Sequence, residues 1–131
     1  MDVHGPVSVQ SHSEQKYYAI FIDDCTKYKV NIPIKKKSDT FTAFLRFQTY
    51  AKNQLKDTMK AIQDDKGGKF ISKEFDAHCD KKGIICRHCA PESSAEWKCR
   101  KWQQGCITSL LSEANLLMQF WAEALVTLTH V

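Results

Sequence analysis

The chemistry legible in this chain begins with its carboxylates. Asp64 and Asp65 stand just before Gly67-Gly68 in the stretch Ile62 to Phe70, IQDDKGGKF, after an apolar approach through Met59, Ala61 and Ile62. An apolar run that ends on acids and a Gly-Gly turn predicts a strand whose tip presents a carboxylate. A rigid strand fixes that oxygen, and the glycines let a backbone or a phosphate come close, an arrangement suited to Mg2+ or Mn2+. The same letters also suit an Asp-Lys-Gly-Gly surface turn between a strand and a helix, so the weight of this stretch depends on what surrounds it.

Two further groupings carry reactive side chains. His78, Cys79, Cys86, His88 and Cys89 cluster in the sequence, and Cys86-Arg87-His88-Cys89 is a C-x-x-C, half of a zinc signature. Cys86 and Cys89 fall inside an expected strand, however, and Cys79 falls on the buried face of an expected helix. They read as core and strand cysteines, and no zinc is expected. Cys99 with His88 lacks a third orienting group and any oxyanion signature, which argues against a nucleophile pair. Lys98, Arg100 and Lys101 with Trp97 and Trp102 mix cations and aromatics, as nucleic-acid surfaces do; a packed amphipathic helix with solvated lysines accounts for them nearly as well.

The elements that must position these groups follow from periodicity. Asp2 to Pro6 followed by the alternating Val7 to Gln10 predicts an opening strand with a Gly5-Pro6 irregularity near its start, so the chain opens almost inside a strand. Tyr17 to Ile22 is a nearly continuous apolar run, as a strand buried on both faces would be, and it ends on Asp23-Asp24. Val30 to Ile34 alternates around Pro33, which places a third strand near a sheet edge. Ser38 is the expected N-cap of a helix running to about Leu55, with Phe41, Phe44, Leu45, Ala51 and Leu55 on its apolar face. Thr58 to Gln63 is the expected fourth strand. Ser72 is the expected cap of a second helix, with Phe75 and Cys79 buried and Gly83 as its stop. Ile84 to Cys89 is a short fifth strand. From Ala95 the chain reads as helix to about Asn115 and again from Met118 to His130. The expected fold class is α/β: a mixed five-stranded sheet, three antiparallel strands followed by parallel ones, flanked by helices.

Bulk properties narrow the partners. The chain has 131 residues, 43% hydrophobic and 26% charged, which fits one ordinary domain over residues 1–131 with a core of its own and no sign of disorder. A net charge of +4 permits an anionic partner without demanding one. No apolar run is long enough to span a bilayer and the N-terminus lacks the order of a signal peptide, so an intracellular protein, with no membrane partner and not secreted, is expected. Its six cysteines are then reduced thiols rather than a disulfide framework.

Short motifs in fixed order add a family resemblance. Asp2-Val3-His4-Gly5-Pro6 resembles D-x-x-G-P; Lys16-Tyr17-Tyr18 through Phe21-Ile22-Asp23-Asp24 resembles K-Y-F-x-x-F-I-D-D; Lys35-Lys36-Lys37-Ser38 matches K-K-K-S. Asp65-Lys66-Gly67-Gly68-Lys69-Phe70 resembles D-N-G-G-E-F, and Ser72 to Phe75, Gly83-Ile84, Ala90-Pro91, Glu113 to Leu116 and Phe120 to Ala124 follow in register. Together they resemble the copia-type retrotransposon integrase core, a member of the ribonuclease-H-like superfamily that includes retroviral integrases.

That resemblance implies a polynucleotidyl transferase that uses two divalent metals to join element DNA ends to target DNA, with DNA as partner, a homo-oligomeric state, and a nuclear location where it acts on DNA. Two cations roughly 3.5–4 Å apart activate the attacking oxygen and stabilise the leaving one, which requires hard oxygen ligands converging from separate elements. The family's first two acids map onto Asp2 and Asp65. The third does not map cleanly. Arg100-Lys101 resembles the R-K that follows the family's glutamate, which puts Cys99 in its place; counting forward from Asp65 lands on Lys101; and Glu96, after Ala95, mimics the A-E pair but arrives early. A thiol or an ammonium removes a hard anionic ligand, so strand transfer is expected to be impaired unless Glu96 or Glu92 swings into place. Lys66 and Lys69 stand where the family has Asn and usually Glu; they flank Asp65 with positive charge and could equally touch phosphates. The expectation is thus a degenerate integrase core, beginning late in the family's first strand and without the family's other domains. It binds nucleic acid through Lys66, Lys69, Lys98, Arg100 and Lys101, with Asp2, Asp65 and Glu96 as the catalytic set. The alternative is a catalytically dead remnant serving as a protein-interaction or structural module.

Overall fold

The computed structural model describes residues 1–24, 26–56, 58–65, 73–89 and 105–129, with the backbone alone at Leu55, Asp65, His88, Cys89 and Thr129. The strands are β1 (Asp2–His4), β2 (Tyr17–Ile22), β3 (Lys29–Ile34), β4 (Ala61–Asp65) and β5 (Ile85–Cys89). The helices are α1 (Thr40–Leu55), α2 (Lys73–Lys82), a third, α3, across 105–113, and α4 (Trp121–Thr129).

The strands form two ladders. β1, β2 and β3 make an antiparallel sheet in that order, and β4 and β5 pair in parallel through the α2 crossover. The α/β architecture is the expected one, with its mixed character divided between an antiparallel triplet and a parallel pair. They meet where the Met1 amino group donates to the Gln63 carbonyl at 2.6 Å. Pro33 sits on β3, which among the described residues pairs only with β2, so its missing N–H falls on the side away from that ladder.

β2 separates two cores. Its alternation sends Ala19 and Phe21 to one side, where they join Val30, Ile34, Ala43, Phe44, Ile62, Phe75, Cys79 and Ile84. Tyr18 and Ile20 go to the other side, against Ile107, Leu111, Trp121, Ala122 and Leu125. Aromatic rings dominate the first core: Phe21 stacks on Phe47 at 4.5 Å, and Phe44 lies 4.7 Å from Phe75. In the second, Tyr18 packs on Trp121 at 5.9 Å.

Several boundaries differ from those the sequence suggested. The first strand is Asp2–His4 and stops at Gly5-Pro6 rather than running on to Gln10. The Gly5–Pro6 peptide is cis, and pairing resumes only as far as the Val7 amide, which donates to the Lys16 carbonyl at 2.8 Å. The first helix opens through a 3-10 turn, Lys37–Asp39, and the side chain that caps it belongs to Asp39, which accepts from the Lys36 amide at 3.0 Å; Ser38 lies inside the turn. β4 begins at Ala61 rather than Thr58 and continues through both aspartates.

Helix ends explain the turns that follow them. α2 closes with the Gly83 and Ile84 amides donating to the Asp80 and Cys79 carbonyls, Gly83 taking φ +66°. α3 closes the same way with Asn115 at φ +51°, and the Leu116 amide donates to the Leu111 carbonyl at 2.8 Å. α4 is tied to the β1–β2 connection by the Trp121 indole N–H, which donates to the Val9 carbonyl at 2.8 Å. Among the described residues, no helix is long and apolar enough to cross a membrane.

Candidate divalent-metal and nucleic-acid site

Asp2 is held by a three-residue strand whose register is set from both sides. Within the sheet it lies opposite Ile20, with Val3 opposite Ala19 and His4 opposite Tyr18. Beyond the sheet, the Met1–Gln63 bond draws β1 alongside β4. Asp2 therefore follows the bonded residue by one position on its strand, and Asp64 and Asp65 follow theirs by one and two positions. The Oδ2 atom of Asp2 is buried.

Strand alternation separates the two aspartates of β4. Exposure alternates along Ala61, Ile62, Gln63 and Asp64, with Ile62 and Asp64 buried, Asp64 being 7% exposed. Ile62 belongs to the first core, so Asp64 lies on that face. Asp2 lies opposite Ile20, on the face of the second core. Asp64 is thus a buried acid directed away from Asp2's side. Burial of Asp64 was not legible in the sequence, because ending the fourth strand at Gln63 left it in a turn; the run Ala-Ile-Gln-Asp was the available signal.

Asp65 closes β4 opposite Cys89, where the strand reading placed a tip carboxylate. Lys66, Lys69, Glu92, Glu96, Lys98, Cys99, Arg100 and Lys101 lie outside the described residues. Of the proposed set the structure therefore positions Asp2 and the Asp65 backbone, on adjacent strands. Among the described residues, no group of three or more His, Cys, Asp or Glu side chains is arranged to hold a metal ion.

The other reactive residues have structural employment. Asp23 and Asp24 organise the β2–β3 turn: Asp23 Oδ2 accepts from the Thr26 amide at 2.8 Å and from its hydroxyl at 2.7 Å, while Asp24 pairs with Lys27 at 2.6 Å. His78 shares a hydrogen bond of 3.0 Å with Gln48 and meets Phe41 and Phe44 edge-on. In the basic run before α1, Lys35 pairs with Glu14 at 2.7 Å, holding that carboxyl below its usual range, and Lys37 lies 5.7 Å from the centre of the Tyr17 ring. Cys79, buried beneath α2, has its thiol pushed up to about 12 by burial first and then by its hydrogen bond to Cys86.

Comparison with known proteins gives a consistent placement. No family model matches the chain. It is 27% identical over 134 residues to the retrovirus-related Pol polyprotein from transposon TNT 1-94 of Nicotiana tabacum, a match covering 99% of this chain and 10% of that polyprotein. Shorter matches join it to the Pol polyprotein from transposon RE1 of Arabidopsis thaliana, 31% identical over 49% of this chain and 4% of the polyprotein. Another reaches the Ty1-DR4 Gag-Pol polyprotein of Saccharomyces cerevisiae, 30% identical over 63% of the chain and 5% of the polyprotein. The chain thus spans a tenth or less of these relatives' length. Among solved structures, a chain of the simian T-cell lymphotropic virus intasome in complex with PP2A regulatory subunit B56 gamma superimposes with a TM-score of 0.64 at 20% identity, covering 99% of this chain and 48% of that one. The HTLV-2 integrase catalytic core domain in complex with magnesium, in its dimeric form, gives 0.60 at 21% identity, covering 97% of this chain and 83% of that one. The chain therefore has the fold of retroviral integrase catalytic cores and a sequence similar, along nearly its whole length, to a segment of a retrotransposon Pol polyprotein.

Proposed function

We propose that this chain is a nucleic-acid-binding integrase core of copia-type retrotransposon origin, whose ancestral reaction is two-metal DNA strand transfer and whose present activity is impaired. The observation that carries this reading is the meeting of β1 and β4 at Met1 and Gln63, which brings the strand of Asp2 beside the strand that ends on Asp65. Carboxylate oxygens on two fixed strands are the hard donors that Mg2+ or Mn2+ takes, so the residues present fit such a cation. When bound, the metal would supply Lewis-acid polarisation at phosphorus. Asp2 and Asp65 would hold it, while Lys66 and Lys69 would draw phosphates toward the strand tip. The missing element is the third carboxylate: Glu96 or Glu92 must reach the pair, and with Cys99 or Lys101 in its place joining would be weak. Oligomerisation and a nuclear site of action belong to the same proposal.

The test is a DNA nicking and joining assay with Mn2+, run with the parent and with Asp65→Asn. Weak Mn2+-dependent joining that falls a further hundredfold or so in the variant supports the site, and activity that survives the change overturns it. Binding to DNA should weaken steeply with salt through phosphate contacts. The second reading, an interaction module without catalysis, is favoured by the consecutive exposed Leu116, Leu117 and Met118 after α3; DNA affinity that does not respond to salt would select it.

A further inference from the structure

One pair of nucleophiles takes no part in that chemistry. The closing hydrogen bond of α2, from the Ile84 amide to the Cys79 carbonyl at 2.9 Å, turns the chain at Gly83 so that β5 returns against the helix it has just left. Cys79 is buried in the first core, and Cys86 packs half-buried against the same cluster. The two cysteines thus stand on the helix and the strand that the turn at Gly83 folds together, at one core cluster, and burial holds the proton on the Cys79 sulfur. A cavity of about 600 Å3 opens beside them, lined by Asp76, Asp80, Gly83, Ile84, Ile85 and Cys86. Cys86 lines this opening and Cys79 does not, so a reagent meets Cys86 first.

We propose that Cys79 and Cys86 form an oxidisable dithiol that a small disulfide such as oxidised glutathione closes into an intramolecular bridge between α2 and β5. In the first step the Cys86 thiolate attacks one sulfur of the reagent; a Cys86–glutathione bond forms and one glutathione thiolate leaves. In the second, Cys79 loses its proton to solvent and attacks the Cys86 sulfur, and the second glutathione thiolate leaves. Two protein thiols are oxidised and one small disulfide is reduced. Cys86 lies opposite Ile62 in the β4–β5 ladder, two residues before Asp64 on the partner strand. The bridge would therefore fasten α2 to the ladder that carries the β4 aspartates. This inference does not depend on the proposed DNA chemistry.

The experiment treats the full chain with oxidised glutathione, alkylates the remaining thiols and maps the peptides by mass spectrometry. In the parent, a peptide linked through Cys79 and Cys86 should accumulate, with the glutathione adduct at Cys86 about tenfold less abundant than in Cys79→Ser, which cannot resolve it. In Cys86→Ser, Cys79 should remain unoxidised and should alkylate only after denaturation. Equal adduct in parent and Cys79→Ser, linkage of either cysteine to a different one such as Cys106, or an unmodified Cys86 while Cys106 reacts would each overturn the proposal.

Discussion

The two sides of β2 do different work. On the first, an aromatic core reaches from β2 and β3 through Phe44 of α1 to Ile62 of β4 and to Phe75 and Cys79 of α2, so it fastens the antiparallel sheet to the parallel pair. On the second, Tyr18 and Ile20 pack with Val7 against helices from the last third of the chain, and the strand beside them carries Asp2. One face joins the ladders and the other presents the carboxylate. A site built from adjacent strands of separate ladders depends for its geometry on the core that does not contain it.

The largest test of this division is a pair of truncations. Phe44→Ala should cost about 3–5 kcal/mol and Leu125→Ala about 2–5 kcal/mol in urea unfolding, since both side chains are fully buried. Their hydrogen-exchange patterns should part: Phe44→Ala should speed exchange in both ladders under native conditions, and Leu125→Ala should leave the β4–β5 amides protected. Equal acceleration of β4–β5 in both variants would mean a single core. A smaller effect comes from Gly5, which sits at φ +129° with no room for a Cβ: the added atom would lie 2.7 Å from both the Lys16 carbonyl oxygen and Tyr17 Cδ1. Gly5→Ala should cost about 2–3 kcal/mol and loosen the register that fixes Asp2, read as lower stability together with weaker Mn2+ binding by calorimetry; a loss of stability alone would separate Gly5 from the site.

Two finer measurements sharpen the contrast. Trp121→Phe keeps an aromatic in the second core and removes the donor to Val9. Because Val9 is exposed, water can replace the bond, and the cost should be about 1 kcal/mol in thermal or urea unfolding, with Mn2+ affinity unchanged. In the first core, Cys79 titrates at about 12 against an ordinary 9.0, raised by burial, by the bond to Cys86 and by the Asp76 and Asp80 carboxylates. The folded chain keeps this proton where the unfolded chain loses it, so the contribution is complete below 9 and is lost as pH rises toward 12. The stability advantage of the parent over Cys79→Ala should shrink across that window, by at most about 1.4 kcal/mol per pH unit; a constant gap would remove the thiol from the account.

What the sequence disclosed depended on how locally each element is held. β2 was legible because burial on both faces leaves an unbroken apolar run, and α1 because Phe41, Phe44 and Ala51 keep helical spacing over sixteen residues. The end of β1 was not, since its three residues hold their place through pairing with β2 and the bond to Gln63, sixty-two positions away, while Val7 to Gln10 alternates yet bonds to the next strand through the Val7 amide alone. β4 was cut short at its end because Asp64 and Asp65 disfavour a strand by propensity and are kept in one by the β5 ladder. The proposal that pairs Asp2 with Asp65 rests instead on the motifs around them, D-x-x-G-P and D-K-G-G. The contact of Cys79 with Cys86 was invisible, because the C-x-x-C spacing drew attention to Cys89 and the turn at Gly83 decides the pairing instead.

The double burial of β2 has a consequence for how such a chain can change over time. From Tyr18 to Phe21 every side chain is enclosed, at 3% exposure or less, so this strand offers no surface on which a new contact could be selected. Substitutions there are limited to those that conserve volume on both sides at once. A lineage that lost its ancestral chemistry could rework strand tips, helix faces and loops freely, but its central strand would go on spelling out the fold it came from.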